Sequence, residues 1–121
     1  MTTQNKTVVA VLSDLLFTVK IQDAAKRAGV KAVFVNSPAD ALAQAKLHPS
    51  LMIIDLNNAK VEPLALIGQL KSDAATSHVK LVGYISHVQV ELRQAAQDKG
   101  CDVVVARSAF VQNLGELVSR L

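Results

Sequence analysis

The chain has 121 residues, of which half are hydrophobic and 19% are charged, with a net charge of +3; its mean hydropathy is +0.29. That length holds one domain around one core, the wealth of Val, Leu and Ile excludes a disordered tail, and no apolar run approaches the ~18 residues of a membrane span. The thirteen Lys and Arg are scattered in ones and twos, Lys26-Arg27 being the densest pair, which describes a solvated surface rather than a DNA footprint, and three Phe, one Tyr and no Trp are too few for a single-strand stacking platform.

From Thr7 the chain reads T-V-V-A-V-L-S and stops at Ser13-Asp14. Continuous rather than alternating hydrophobicity predicts a strand buried on both faces, as in parallel sheets. A helix follows, with Phe17, Ile21, Ala24 and Ala28 on one face. Gly29 closes it in the C′ position, after Lys26-Arg27, which suit the negative helix end. Ala32–Val35 is the second strand. Ser37 caps the next helix, Pro38 takes its first position and Asp40 stands where a capping-box acid belongs. That helix runs to about His48, and Pro49 stops it. Leu51–Ile54 is the third strand, ending at Asp55, and Leu56–Lys60 reads as a loop. Pro63–Lys71 is a helix with Leu66, Ile67 and Leu70 inward. Lys80–Ile85 is the fourth strand, ending at Ser86. Val88, Leu92 and Ala95 mark a fourth helix that Gly100 closes. Asp102–Ala106 is the fifth strand, ending at Arg107, and Ser108 caps a last helix that turns Phe110, Leu114, Leu117 and Leu121 inward.

Five βα units in one domain predict an α/β fold with a parallel sheet and helices on both faces. Its crossovers should be right-handed and its strands should take the flavodoxin-like (βα)5 order 2-1-3-4-5. The domain is expected to span residues 1–121, with the polar residues 1–6 as a flexible extension. That polar start has no apolar signal core, so export is not expected. A single cysteine, Cys101, cannot form an internal disulfide, and a cytoplasmic setting fits.

Open parallel sheets bind ligands beyond the C-terminal strand ends, near the switch point between strands 1 and 3. Those ends carry Ser13 and Asp14, then Asp55 with Asn57 and Asn58, then Ser86 and His87, then Arg107 and Ser108. Asp14, Asp55, Ser86 and Arg107 lie 41, 31 and 21 residues apart in turn, yet the fold gathers them at one edge. Two neighbouring carboxylates repel unless a cation sits between them, and magnesium, which needs one or two carboxylates plus a phosphate oxygen, is the natural occupant. A hydroxyl at Ser86 and a cation at Arg107 could hold the oxygens of a phosphoryl group on Asp55. No general base has an evident role, so the set suits phosphoryl acceptance better than hydrolysis.

On these residues the chain resembles the receiver domain of two-component response regulators. The matching pieces are V-V-A-V-L-S-D, L-M-I-I-D-L-N, L-V-G-Y-I-S and G-C-D-V-V-V-A-R, spread over nearly the whole chain. The resemblance implies Asp55 as phospho-acceptor, Mg2+ held by Asp14, Asp55 and the backbone carbonyl of Asn57, and Ser86 as switch hydroxyl. It implies a histidine kinase or phosphotransfer protein as phosphodonor, a downstream protein partner, and a signalling face on strand 4, helix 4 and strand 5 (residues 87–99 and 107–114). No enzymatic turnover, DNA or membrane is implied.

The departures from the receiver pattern are as informative. Ser13 stands where receivers carry a second acid, so the metal site loses a carboxylate and should be weaker. Arg107 replaces the family's lysine, and a planar guanidinium is no substitute for a compact ammonium. Ser108 replaces the following proline, so the usual cis peptide is not expected. His87 occupies the small-residue position beside the switch hydroxyl, and Val104 the aromatic switch position. The Met-Pro and Asp-Gly signature after the acceptor is replaced by N-N-A-K-V-E-P.

Plain structural roles stand beside these readings. Asp14 could cap the first helix, Arg107 could form an ordinary salt bridge with Asp55, and Ser86 could be a strand-end hydrogen-bonder. Tyr84 is expected in the core with its hydroxyl at an edge. His87 reads first as a loop residue, with gating as the sharper alternative, and nothing is assigned to His48 and His78. Two functions follow: a stand-alone receiver phosphorylated on Asp55, or a degenerate receiver that binds partners without phosphate. Catalytic readings fall away, because the first strand end lacks D-x-D and the chain lacks G-x-G-x-x-G and G-x-x-x-x-G-K.

Overall fold

The computed structural model describes residues 6–86 and 89–121. The elements in chain order are β1 (Thr7–Val11), α1 (Leu15–Ala28), β2 (Lys31–Val35), α2 (Pro38–Ala45), β3 (Leu51–Asp55), a 3-10 turn at Ala59–Val61, α3 (Pro63–Ser72), β4 (Leu81–Ile85), α4 (Val90–Lys99), β5 (Val103–Ala106) and α5 (Arg107–Ser119). The five strands form one parallel sheet in the order β2-β1-β3-β4-β5, the flavodoxin-like arrangement expected from the alternation.

Strand residues divide by parity between two helix layers, because successive side chains point to opposite faces. Val9, Val11, Met52, Ile54 and Val104 pack with Ala41 and Ala45 of α2, Leu66, Ile67 and Leu70 of α3 and Ala96 of α4. Val8, Ala10, Ile53, Val82 and Tyr84 pack with Phe17 and Ile21 of α1 and Phe110, Leu114 and Val118 of α5. Full burial of β3 on both faces explains why its sequence runs apolar without alternation. Gly83 of β4 has no side chain because a Cβ there would stand 2.9 Å from Cδ1 of Leu56, the residue that follows Asp55.

Local signals shaped most element ends. Gly29 takes the left-handed conformation (φ 71°), and its N–H reaches back to the carbonyls of Ala25 and Lys26. Ser37 Oγ accepts from the Asp40 N–H. Three ends differ from expectation. The second helix stops at Ala45, and the chain turns out through His48, at φ 59°. The last helix begins at Arg107 with Ala106 in the cap position and no capping side chain, so Ser108 is not the cap: β5 runs straight into α5, leaving Ser108 already inside the helix. The fourth helix begins at Val90; its expected mark Val88, like His87, lies outside the described residues. Of the expected N-terminal extension, residues 1–5 also lie outside them, whereas Lys6 is tied to the sheet edge, its carbonyl accepting from the Lys31 N–H at 3.0 Å.

Candidate functional site: an acid pair with a resident arginine

Asp55 ends the central strand β3, and Asp14 follows its neighbour β1. Asp14 follows β1 and caps α1: its Oδ1 accepts from the N–H groups of Leu16 (2.9 Å) and Phe17 (3.3 Å). Its other oxygen, Oδ2, is held by Nη2 of Arg107 at 2.5 Å. The expected cap is thus in place, while the oxygen expected to meet magnesium is taken by the Arg107 guanidinium. Asp55, the last residue of β3, is only 9% exposed. Its Oδ1 accepts from the Asn57 N–H at 2.9 Å.

Burial pushes the Asp55 carboxyl above the usual carboxylate range. The Asn57 N–H and the charge of Arg107 pull it back, and the charge of Asp14 adds to the rise. Asp14, Asp55 and Arg107 therefore act on one another as a three-charge site whose formal sum is one negative charge. Arg107 is the hinge of this arrangement. Its ion pair joins Asp14, across 93 residues of sequence, rather than Asp55. Its guanidinium carbon lies 4.5 Å from the centroid of the Phe17 ring, and its buried Nε has no hydrogen-bond partner among the described residues.

Beneath the site is an aromatic stack. Phe17 and Tyr84 stand 4.9 Å apart by ring centroids, as do Tyr84 and Phe110. Tyr84 is fully buried, and its hydroxyl has no partner among the described residues instead of reaching an edge. Burial and the charges of Asp55 and Asp14 push the phenol up beyond its ordinary range.

Asn57 does something the sequence did not signal. Its side-chain Oδ1 accepts from the Ser86 N–H at 2.8 Å, and its Nδ2 donates to Gln89 Oε1 at 2.8 Å. One side chain thus bridges the loop carrying Asp55 to the loop that leads from β4 into α4. Ser86, at the end of β4, is exposed. Asn58 is buried and donates through Nδ2 to Asn36 Oδ1 at 2.8 Å, joining the loop after β3 to the loop after β2; an Asn at a strand end gave no hint of that partner. Cys101 is a free, buried cysteine whose Sγ donates to the Val103 carbonyl at 3.3 Å, and burial raises its thiol, which keeps it in the unreactive form.

The donor set for Mg2+ consists of the Asp14 and Asp55 carboxylates and the Asn57 carbonyl. Asp14 is already committed on both oxygens, one of them to a cation, and no cluster of three or more His, Cys, Asp or Glu suited to a metal occurs among the described residues. While Arg107 holds Asp14, these residues do not fit a resident divalent ion.

No family model matches the chain, and the search of curated proteins found no relative. The fold comparison is unambiguous: many solved structures of CheY-like response-regulator receiver domains superpose on nearly the whole chain. The phosphorylated cyanobacterial phytochrome response regulator RcpA aligns with TM-score 0.81 and 19% identity, covering 97% of this chain and 91% of its own. The chemotaxis response regulator CheY4 of Vibrio cholerae aligns at 0.82 and 14%, covering 97% and 98%. The Mn2+-bound form of the response regulator Rcp1 aligns at 0.78 and 14%, covering 95% and 90%. This chain has the CheY-like receiver fold. No described helix is long and apolar enough to cross a membrane.

Proposed function

We propose that this chain is a receiver-type signalling module that works by binding a protein partner, with its acid pair neutralised from within by Arg107 and with no need of phosphate. The observation that carries this reading is the Arg107–Asp14 pair, which puts a permanent charge where the receiver pattern needs an exchangeable metal. Asp55 is nearly buried beside it. The role is non-catalytic and the setting cytoplasmic. The partner face is built by α4, β5 and the start of α5. There Ile85, Gln89, Val90, Arg93 and Ala106 line a cleft of about 100 Å³, Val90 is 71% exposed, and Arg93 Nη2 ties α4 to the Val104 carbonyl at 3.2 Å. Asn57 links this face to the Asp55 loop.

A second reading is favoured by the placement of Asp55 at the end of β3, hydrogen-bonded by Asn57 and within the field of Arg107. In it a histidine kinase or phosphotransfer protein phosphorylates Asp55, Ser86 acts as the switch hydroxyl, and Arg107 leaves Asp14 to bind the phosphoryl group. Asp14, Asp55 and the Asn57 carbonyl are then free for Mg2+. Intact mass after incubation with acetyl phosphate and MgCl2 separates the two. An unchanged mass, under conditions that label an ordinary receiver, is the result expected here. Addition of one phosphate, abolished by Asp55→Ala, establishes the second reading instead.

A further inference from the structure

Two histidines meet at the end of the sheet opposite the acid pair. His48 follows α2 and precedes β3; His78 follows α3 and precedes β4, the neighbouring strand. His48 Nδ1 and His78 Nε2 stand 2.9 Å apart, with ring centroids 4.8 Å apart and ring planes at 36°. Both residues are exposed. His48 is held there by a backbone at φ 59°, a conformation that is uncommon outside glycine and that marks a position fixed by its surroundings. Its N–H closes a turn onto the Ala45 carbonyl at 3.1 Å.

We propose that His48 and His78 form a binding site for a late first-row divalent cation of the nickel or copper class. Imidazole nitrogens are good ligands for these ions. Two nitrogens at about 2.0–2.1 Å from one ion stand about 2.9 Å apart when they subtend a right angle, as in square-planar or octahedral sites, and about 3.3 Å apart in a tetrahedral one. The two nitrogens, hydrogen-bonded at 2.9 Å, need little change in separation to share one ion in the right-angle geometry that nickel and copper favour. Each ring turns slightly so that its lone pair meets the other at a common point. The proton now shared between Nδ1 and Nε2 moves to the other nitrogen of the same ring, so both facing nitrogens become ligands and no proton is released. Water completes the coordination, since the described residues supply no third His, Cys or acid. Magnesium, which prefers oxygen, is not expected to bind there. A five-residue strand puts the pair about 17 Å from the acid site, so the two can be tested separately.

Isothermal titration of the full chain with NiCl2 tests the site, because nickel does not oxidise the cysteine. Wild type should bind one equivalent saturably. His48→Asn, which tolerates the positive φ, and His78→Asn should each weaken that binding at least tenfold, since losing a ligand outright costs no less than the ~10–100-fold lost with a supporting residue. His87→Asn should leave it unchanged, and far-UV circular dichroism should show all variants folded. Absence of nickel binding to wild type, or binding that survives either the His48 or the His78 substitution in a folded variant, overturns the proposal.

Discussion

Removing the Arg107 guanidinium exposes the logic of the acid site. In Arg107→Ala the ion pair to Asp14 is lost; its two side chains are 35% and 32% exposed. Fully exposed pairs are worth about 0–1 kcal/mol, and breaking a buried one costs about 3–5 kcal/mol. Partial exposure places this pair near 1–2 kcal/mol by the same scale. Loss of the guanidinium from the face of Phe17, 4.5 Å away, adds about 0.5–1 kcal/mol. The sum of about 1.5–3 kcal/mol corresponds to a fall in Tm of about 5–12 °C for a domain of this size. Removing the cation also leaves the charges of Asp14 and Asp55, which act on one another, without their shared counter-charge, the situation that calls for a metal. Adding MgCl2 should therefore stabilise the variant by about 1.4 kcal/mol when the ion stands at ten times its dissociation constant, raising its Tm while leaving wild type unmoved. Differential scanning calorimetry at neutral pH and low ionic strength reads both effects. A variant as stable as wild type, or a wild type stabilised by magnesium as much as the variant, refutes the reasoning.

Three further outcomes are expected. Burial raises the Asp55 carboxyl above its ordinary value, so between the unfolded and the folded value the folded state holds a proton that the unfolded chain has released; the stability tied to that proton is full below the unfolded value and is lost as pH rises through the folded one. Asp55→Asn should therefore raise Tm at pH 7 and raise it much less near pH 3, and equal gains at both, or a loss at pH 7, would contradict this. Tyr84→Phe keeps the stack with Phe17 and Phe110 and removes a hydroxyl that has no partner among the described residues; urea unfolding should show stability unchanged or raised by about 1 kcal/mol, whereas a loss beyond about 1 kcal/mol would reveal a hidden bond. Asn57→Ala cuts the bridge to Ser86 and Gln89, and amide hydrogen exchange should quicken at Ser86 and at the start of α4 while the core of β3 is unaffected; unchanged exchange there would mean the bridge carries no load.

The fold was legible because its signals are local. Buried parallel strands announce themselves as unbroken apolar runs, and Gly29, Ser37 with Pro38, and Asp14 each satisfied helix-end groups within a few residues of themselves. The candidate site was legible only as a set of strand ends that the topology brings to one edge. Which acid Arg107 pairs with could not be read, because two carboxylates were in reach; the structure gives the pair to Asp14, with the guanidinium over the Phe17 ring. The Asn57 side chain bridges residues 29 and 32 positions away, a matter of loop packing with no pattern in the sequence, where the family resemblance pointed to its backbone carbonyl instead. Ser108 misled because a good capping residue stood one step too late, inside a helix that starts without a loop. The histidine pair was hidden by 30 residues of separation; the available clue was that each histidine precedes one of two neighbouring strands.

The central claim, an acid pocket closed by its own arginine and independent of phosphate, is met most directly by titrating the chain with beryllofluoride and MgCl2 while following the amide NMR spectrum. The account predicts no saturable shifts at Asp55, Asn57, Ser86 or Arg107 in wild type. Saturable shifts confined to those residues and spreading into α4 would contradict it and make Asp55 a working phosphoryl site.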